Sequence, residues 1–283
     1  MFCPLDRDEL LYLALQEDIG LGDKTTDAIV PPEARCRAKL TAKADGIISG
    51  LEVFRRLYEI NEAEIDNWED VSDGSHIKKG QRIVSFEGNV QAVLKTERVS
   101  LNFLKHLSGV ATLTHKFVQR VKDLPVHICH TRKTMPLLRA MEVEAVVHGG
   151  GYKHRFNLSD GVLIKENHLE MAGGNIASAI QRVRRNISHL ERIEVEVNTL
   201  EQVKESLKAG VDAILLDNMS LEEMQKAVKL AKGYPVLLEA SGNVTLETVR
   251  PVAEIGVHLI SVGAITHSVS ALDLSLLIER IEK

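Results

Sequence analysis

The chain has 283 residues, enough for one or two domains and too few for three ordinary ones. It is 44% hydrophobic and 27% charged, and no apolar run approaches the ~20 residues a bilayer crossing needs, which excludes a membrane-spanning chain. With 35 Lys and Arg against 40 Asp and Glu, the net charge of −5 gives no overall basic field for nucleic acid or anionic lipid, and 4% aromatics leave few platforms for stacking bases.

The opening residues MFCPLDRDEL carry acids where a secretory signal carries bases and an apolar stretch, so export is not expected. Three widely spaced cysteines, Cys3, Cys36 and Cys129, exclude a disulfide scaffold and a paired-thiolate zinc motif. A reducing cytoplasm is the expected setting.

In chain order, residues 1–110 begin with an amphipathic helix presenting Leu10, Leu11, Leu13 and Ala14. The β-like runs CRAKLTAKADGIISG and DVSDGSHIKKGQRIVSFEGNV follow, broken by Gly46, Gly50, Gly74, Gly80 and Gly88 into hairpins of a small open sheet. A helix is expected over 52–62 and a long one over 91–120. The latter's stripe of Leu94, Leu101, Leu104, Leu107 and Ala111 is broad enough to suggest burial against a second subunit.

From residue 126 the pattern is regular. VHICH, GVLIK, RIEVEV, DAILLD, PVLLEA and HLISVG alternate with helical stretches, the last four centred near residues 194, 214, 237 and 260. Runs this apolar predict parallel strands with right-handed helical crossovers. The span 111–270 holds about seven such units, short of the ~200 residues of a full barrel, so an incomplete, about seven-stranded parallel α/β barrel is expected. Residues 271–283 are expected to form a C-terminal helix on the N-terminal domain.

Six cations fall between residues 132 and 165: Arg132, Lys133, Arg139, Lys153, Arg155 and Lys165, with His130, His148 and His154 among them. They follow strand-like or glycine-rich segments rather than pairing with acids along helices. That placement suggests a pocket for a small, multiply anionic ligand, the alternative being scattered surface bases. Polar residues end nearly every strand: Lys165, Glu196, Asp217, Ser241, and Ser261 with Gly263.

Glu196 and Asp217 lie 21 residues apart, about one repeat, and should face one mouth, where carboxylates suit Mg²⁺ or sugar hydroxyls. Singly, each also reads as a structural partner for Lys or Arg. EASGNV and SVGAITHS place Ser and Gly before helices, the pattern of a phosphate site. Gly149, Gly150 and Gly151 read as a turn or a second anion-approach loop.

Taken together, HTRKTMPLLR, GGGYKHRFNLSDGVLIKENHL, IEVEVNTLEQ, ILLDNMS, LLEASGN and ISVGAITHS resemble the quinolinate phosphoribosyltransferase family, as do EDIGLGDKTT and TERVSLNFLKHLSGVAT nearer the start. The resemblance implies an N-terminal open-sheet domain, an incomplete α/β barrel, Mg²⁺, and a homodimer in which Arg98 reaches the neighbouring site. It implies that Arg132, His154, Arg155 and Lys165 bind quinolinate and that Lys133 bridges both substrates. Glu196 and Asp217 would serve the ribose hydroxyls and Mg²⁺. Ser241, Gly242 and Gly263, with Thr131, Asn243 and Ser261 of the same motifs, would complete substrate binding. Lys133, Glu196 and Asp217 are the implied catalytic residues.

His130, Lys153 and Asn198 depart from the family pattern, the first two making the pocket rim more basic. The implied reaction transfers a phosphoribosyl group to quinolinate with loss of carbon dioxide. Rival readings are the molybdenum-transport-associated homologue, against which LIKENH argues, and a non-catalytic pyridine-carboxylate binder. Two more are a barrel using Lys165 as a Schiff-base nucleophile, and a carrier module built on DGSHIKKGQRIVSFEGN, which lacks the lysine tip.

Overall fold

A computed structural model describes residues 6–281; Cys3 lies outside them. The elements run α1 (Arg7–Ile19), α2 (Lys24–Ile29), β1 (Arg35–Ala42), β2 (Gly46–Ile47), α3 (Leu51–Ile60), β3 (Asp66–Asp70), β4 (His76–Ile77), β5 (Arg82–Asn89), α4 (Val90–Val121), β6 (His127–Cys129) and α5 (Arg139–His148). They continue with β7 (Val162–Ile164), α6 (Glu166–Met171), α7 (Ile176–Arg184), β8 (Ile193–Val197), α8 (Leu200–Ala209), β9 (Ala213–Asp217), α9 (Leu221–Ala231), β10 (Leu237–Ser241), α10 (Val249–Glu254), β11 (Leu259–Ser261), α11 (Ala264–His267) and β12 (Leu274–Arg280).

Two compact units result. The first holds the chain up to residue 113 with 135–149 and the stretch from 269 on; the second holds 114–134 and 150–268. The chain passes between the units four times, at 113/114, 134/135, 149/150 and 268/269, so that α5 and β12 go with the first unit.

The first unit is an antiparallel sheet in the order β12-β1-β5-β3, with a β2-β4 pair. β1 alternates, sending Cys36, Ala38, Leu40 and Ala42 inward. Onto that face α3 packs Phe54 and Tyr58. Tyr58 lies against Phe86 of β5 with ring centroids 4.9 Å apart, and its hydroxyl accepts from Ser100 Oγ of α4 at 3.0 Å. Leu101 and Leu104 of α4 join this core. Leu101, Leu104, Leu107 and Ala111 of the expected stripe are therefore buried within the chain itself.

In α1 the buried pair is Leu11 and Leu15, spaced i and i+4, while Leu13 is exposed. The expected C-terminal helix is instead strand β12, antiparallel to β1 from Ala42↔Leu274 to Cys36↔Arg280. The reason is the period of its apolar residues. Leu274 and Leu276 enter the core while Leu277 is 61% exposed, an alternation that only a strand satisfies, and β1 offers it an unpaired edge.

The second unit is one parallel sheet in the order β6-β11-β10-β9-β8-β7. Successive strands are neighbours from β7 to β11, and β6 closes onto β11, so the arc is open between β6 and β7. Six strands form it. In place of a seventh there is one bridge in that gap, Cys129↔Tyr152.

Alternate rows of the sheet face opposite ways. Val195, Ile214 and Leu238 stand in one buried row, whereas Glu196, Leu215 and Glu239 share the next, which faces the interior. Capping side chains start the crossover helices crisply: Thr199 accepts the Gln202 N–H for α8, and Ser220 with Glu223 forms a reciprocal pair for α9.

Candidate active site

The strand ends of the second unit surround a cavity of about 610 Å³. Thr131, Arg132 and Lys133 follow β6, Lys165 follows β7, Glu196 lies on β8 and Asp217 ends β9. Ser241, Gly242 and Asn243 close β10, and Ser261 and Gly263 close β11. With His154 and Arg155 from the loop before β7, thirteen of the fourteen residues expected to bind substrate line this one space. Parallel strands deliver their C-terminal ends to one face, which is why residues 110 positions apart meet there.

Arg98, the fourteenth, is exposed on α4 of the first unit and is not part of the lining. Arg139 and His148 stand on α5 of the first unit, His148 Nδ1 lying 2.8 Å from Ser49 Oγ. Lys153 and Asn198 are exposed and off the cavity wall. His130 is not at the rim either, being fully buried: its Nε2 accepts the His154 backbone N–H at 3.1 Å and its Nδ1 meets the Thr131 carbonyl. Of the segment Gly149–Gly151, only Gly150 has a positive φ, 86°, a backbone turn with no residue on the wall.

Lys165 and Arg155 have defined partners. Lys165 Nζ donates to Glu196 Oε2 at 2.5 Å, which is not how a free Schiff-base amine is kept. Arg155 Nη1 donates to the Gly161 carbonyl at 3.3 Å, and burial followed by the neighbouring Arg132 pulls its pKa below the ordinary guanidinium value. Arg132 has a buried Nε with no hydrogen-bond acceptor among the described residues. The backbone of Lys133 is tied down at both ends, its N–H to Thr131 Oγ1 and its carbonyl to Thr266 Oγ1 at 2.7 Å.

The two acids expected to be equivalent are two rows apart. Glu196 is in register with Leu215, so Asp217 lies two residues nearer the mouth on the same face. Asp217 Oδ2 accepts from Asn218 Nδ2 at 2.8 Å, and Asn243 Nδ2 reaches Asn218 Oδ1 at 3.4 Å. At Gly242, φ is +99° and a Cβ would collide with the Asn218 side chain, so this loop needs glycine on both counts. At Gly263 a Cβ would meet His267 Nε2 at 3.0 Å and Lys133 Cδ at 3.3 Å.

The sequence reading missed Asn218, Glu239 and His267, all on the cavity wall, and Glu194 behind it. A signal existed for the two acids: Glu194 alternates with Glu196 in RIEVEV, and Glu239 interrupts the apolar run PVLLEA on the same face. Glu239 is 1% exposed and its Oε1 makes no hydrogen bond.

His154 Nε2 lies 3.4 Å from both Glu194 Oε2 and Glu239 Oε1. Burial pushes the imidazole pKa down, but the two acids outweigh it and raise it to about 10. The ring Nδ1 also accepts the Arg155 N–H at 2.7 Å, which requires that nitrogen bare. The geometry therefore keeps the ring's own proton on Nε2, and the additional proton that the acids draw in is shared by the cluster, which includes Glu194, whose carboxyl burial lifts above the usual range.

An open α/β barrel whose mouth combines four cations, a carboxylate ladder and glycine-bearing loops defines a protein built to hold multiply anionic small molecules. Comparison with known proteins narrows this further. The model of the quinolinate phosphoribosyl transferase C-terminal domain matches residues 110–277 and that of the N-terminal domain residues 23–108. The chain belongs to the quinolinate phosphoribosyl transferase family.

It is 39% identical over 272 residues to a probable carboxylating nicotinate-nucleotide pyrophosphorylase of Bacillus subtilis, covering 96% of this chain and 93% of that one. It is 40% identical to the decarboxylating quinolinate phosphoribosyltransferase 2b, mitochondrial, of Nicotiana tabacum, with 97% and 82% covered. The crystal structure of NadC from Streptococcus pyogenes superposes with a TM-score of 0.93 at 37% identity, covering 100% of this chain and 99% of that one. No helix of the described residues is long and apolar enough to cross a membrane.

Proposed function

We propose that the chain joins the ring nitrogen of quinolinate to C1 of phosphoribosyl pyrophosphate, releases pyrophosphate, and then loses the 2-carboxylate as carbon dioxide to give nicotinate mononucleotide for NAD synthesis. One observation carries the reading beyond kinship: the buried, acceptor-less Nε of Arg132 on the cavity wall. An unmet buried donor costs about 1–3 kcal/mol, and a substrate carboxylate removes that cost. Arg155 and Lys165 complete a cationic wall suited to a pyridine diacid, while the Gly242 and Gly263 loops suit the 5-phosphate.

The chemistry needs positioning and charge more than a strong base. The cations hold the diacid with its nitrogen facing C1, and Lys133 stands between the two substrates. As the C1–oxygen bond lengthens the sugar becomes positive, and Glu196 and Asp217 stabilise it. After the new bond forms, the positive ring nitrogen stabilises the electron pair left on C2 when carbon dioxide departs, and that carbon then takes up a proton from water. Leu163 and Leu215 on the wall help strip water from that carboxylate.

Glu196 and Asp217 offer the hard oxygen donors that a Mg²⁺ ion takes, and when bound it would neutralise charge on the departing pyrophosphate. A homodimer belongs to the same reading, with Arg98 supplied from the neighbouring subunit. Support comes from its exposure on α4 and from a cavity wall assembled without it. A reducing cytoplasm suits the buried free thiols Cys36 and Cys129.

Purified protein with quinolinate, phosphoribosyl pyrophosphate and Mg²⁺ is expected to form nicotinate mononucleotide, pyrophosphate and carbon dioxide in equal amounts. Quinolinate binding without these products would instead mark a pyridine-carboxylate binder.

A further inference from the structure

The proposed reaction leaves one arrangement unexplained: two acids, Glu194 and Glu239, buried beneath a site that binds anions. Acids there oppose substrate charge unless they do something else. Their common neighbour is the His154 ring, whose Nε2 lies 3.4 Å from an oxygen of each. The other ring nitrogen takes the Arg155 N–H at 2.7 Å, and the His154 N–H is held by His130 Nε2 at 3.1 Å. Every polar atom of the ring is thus engaged by the protein.

The same three residues have the composition of a metal site, with ligand atoms within 4.8 Å of one another. The ring's tautomer argues otherwise. A bare Nδ1 facing an N–H places the ring proton on Nε2, between the two carboxyl groups, where a metal would need a lone pair.

We propose that Glu194 and Glu239 are positioning residues: by flanking the Nε2 edge of His154, each 3.4 Å from it, they fix that ring, and through its Nδ1 fix the backbone from which Arg155 reaches the cavity. His154 then acts through Arg155 rather than as a direct ligand of the substrate. The geometry supports this order. Among the described residues the Arg155 guanidinium is anchored by the Gly161 carbonyl, and it stands beside a like-charged Arg132, so its place depends on a rigid base. Strands β8 and β10 supply that base, each presenting one acid to the ring.

The proposal rests on the phosphoribosyl-transfer reading for its kinetic test but not for its structural one. In free protein with ¹⁵N-labelled histidine, the His154 ring is expected to show a protonated Nε2 and an unprotonated Nδ1, whatever the protein catalyses. A protonated Nδ1 would overturn the proposal and leave the reaction untouched. Kinetically, Glu239→Gln is expected to raise KM for quinolinate about tenfold while kcat and KM for phosphoribosyl pyrophosphate stay within about twofold. In an Arg155→Ala background, Glu239→Gln should add nothing further. Equal additional loss in that background, or a parallel rise in both KM values, would show a general structural role and sink the idea. If Glu239→Gln does not fold, Glu194→Gln is read in the same two backgrounds.

Discussion

Glu196 and Glu239 stand in the same row of the parallel sheet, each in register with Leu215 of the strand between them. One row, two fates: Glu196 is partly open to the cavity and held by Lys165, whereas Glu239 is sealed in with no hydrogen bond to its Oε1. A side chain's chemistry here is set by which strand of the arc carries it.

The exposed half of that contrast gives a first prediction. Lys133→Ala and Arg155→Ala remove charges that the departing pyrophosphate and the diacid require, so each should lower kcat/KM at least about a hundredfold, the scale of losing one preorganised donor. Steady-state assays with intact folding by circular dichroism check it, and near-wild-type rates would place the chemistry elsewhere.

A second prediction concerns pH. The His154 ring faces Glu194 on β8, Glu239 on β10, His130 beyond β6 and the backbone of Arg155, with the Cys129 thiol also within the field of both acids. The cluster as a whole holds its additional proton up to about pH 10, above the ordinary 6.5 of an imidazole. Stability from this cluster is therefore fully present below about pH 6.5 and lost as pH rises through about 10. Thermal unfolding should show this slope in the wild type and a flatter one in His154→Asn.

The phosphate loop supplies a third. Gly242→Ala forces an L-residue to a φ of +99° and a Cβ into Asn218. KM for phosphoribosyl pyrophosphate should rise several-fold, and the change should be smaller when Asn218→Gly is present too. A KM unaffected by Gly242→Ala would remove this loop from the binding of that substrate.

A fourth tests assembly. If Arg98 serves the neighbouring site, then Arg98→Ala and Lys133→Ala proteins, each inactive, should regain activity when unfolded and refolded together. In the mixed dimer one site has both residues intact. No recovery, with mixed dimers confirmed by mass, would retire the shared site.

Much of the barrel was legible because buried parallel strands write themselves as short apolar runs, and a polar residue at the end of each run is conspicuous. VHICH through HLISVG became β6 to β11 in order. Glu239 escaped because it lies inside such a run, where an acid reads as an interruption rather than as a site. Residues 274–280 were misread as helix because their strand partner, β1, lies more than 230 positions away, and local sequence does not reveal so distant an edge. The register of Asp217 against Glu196 was off by two residues, since a repeat length fixes spacing along the chain and not alignment across strands.

That distant edge bears on biosynthesis. Because β12 seals the flank of β1, the sheet formed from the earliest strands waits, unfinished, while the ribosome produces the entire second unit. A nascent chain stopped near residue 270 would display a naked β-edge rich in unanswered amides, a magnet for self-association, so the final seven-residue strand acts as a molecular seal on a job begun two hundred residues earlier.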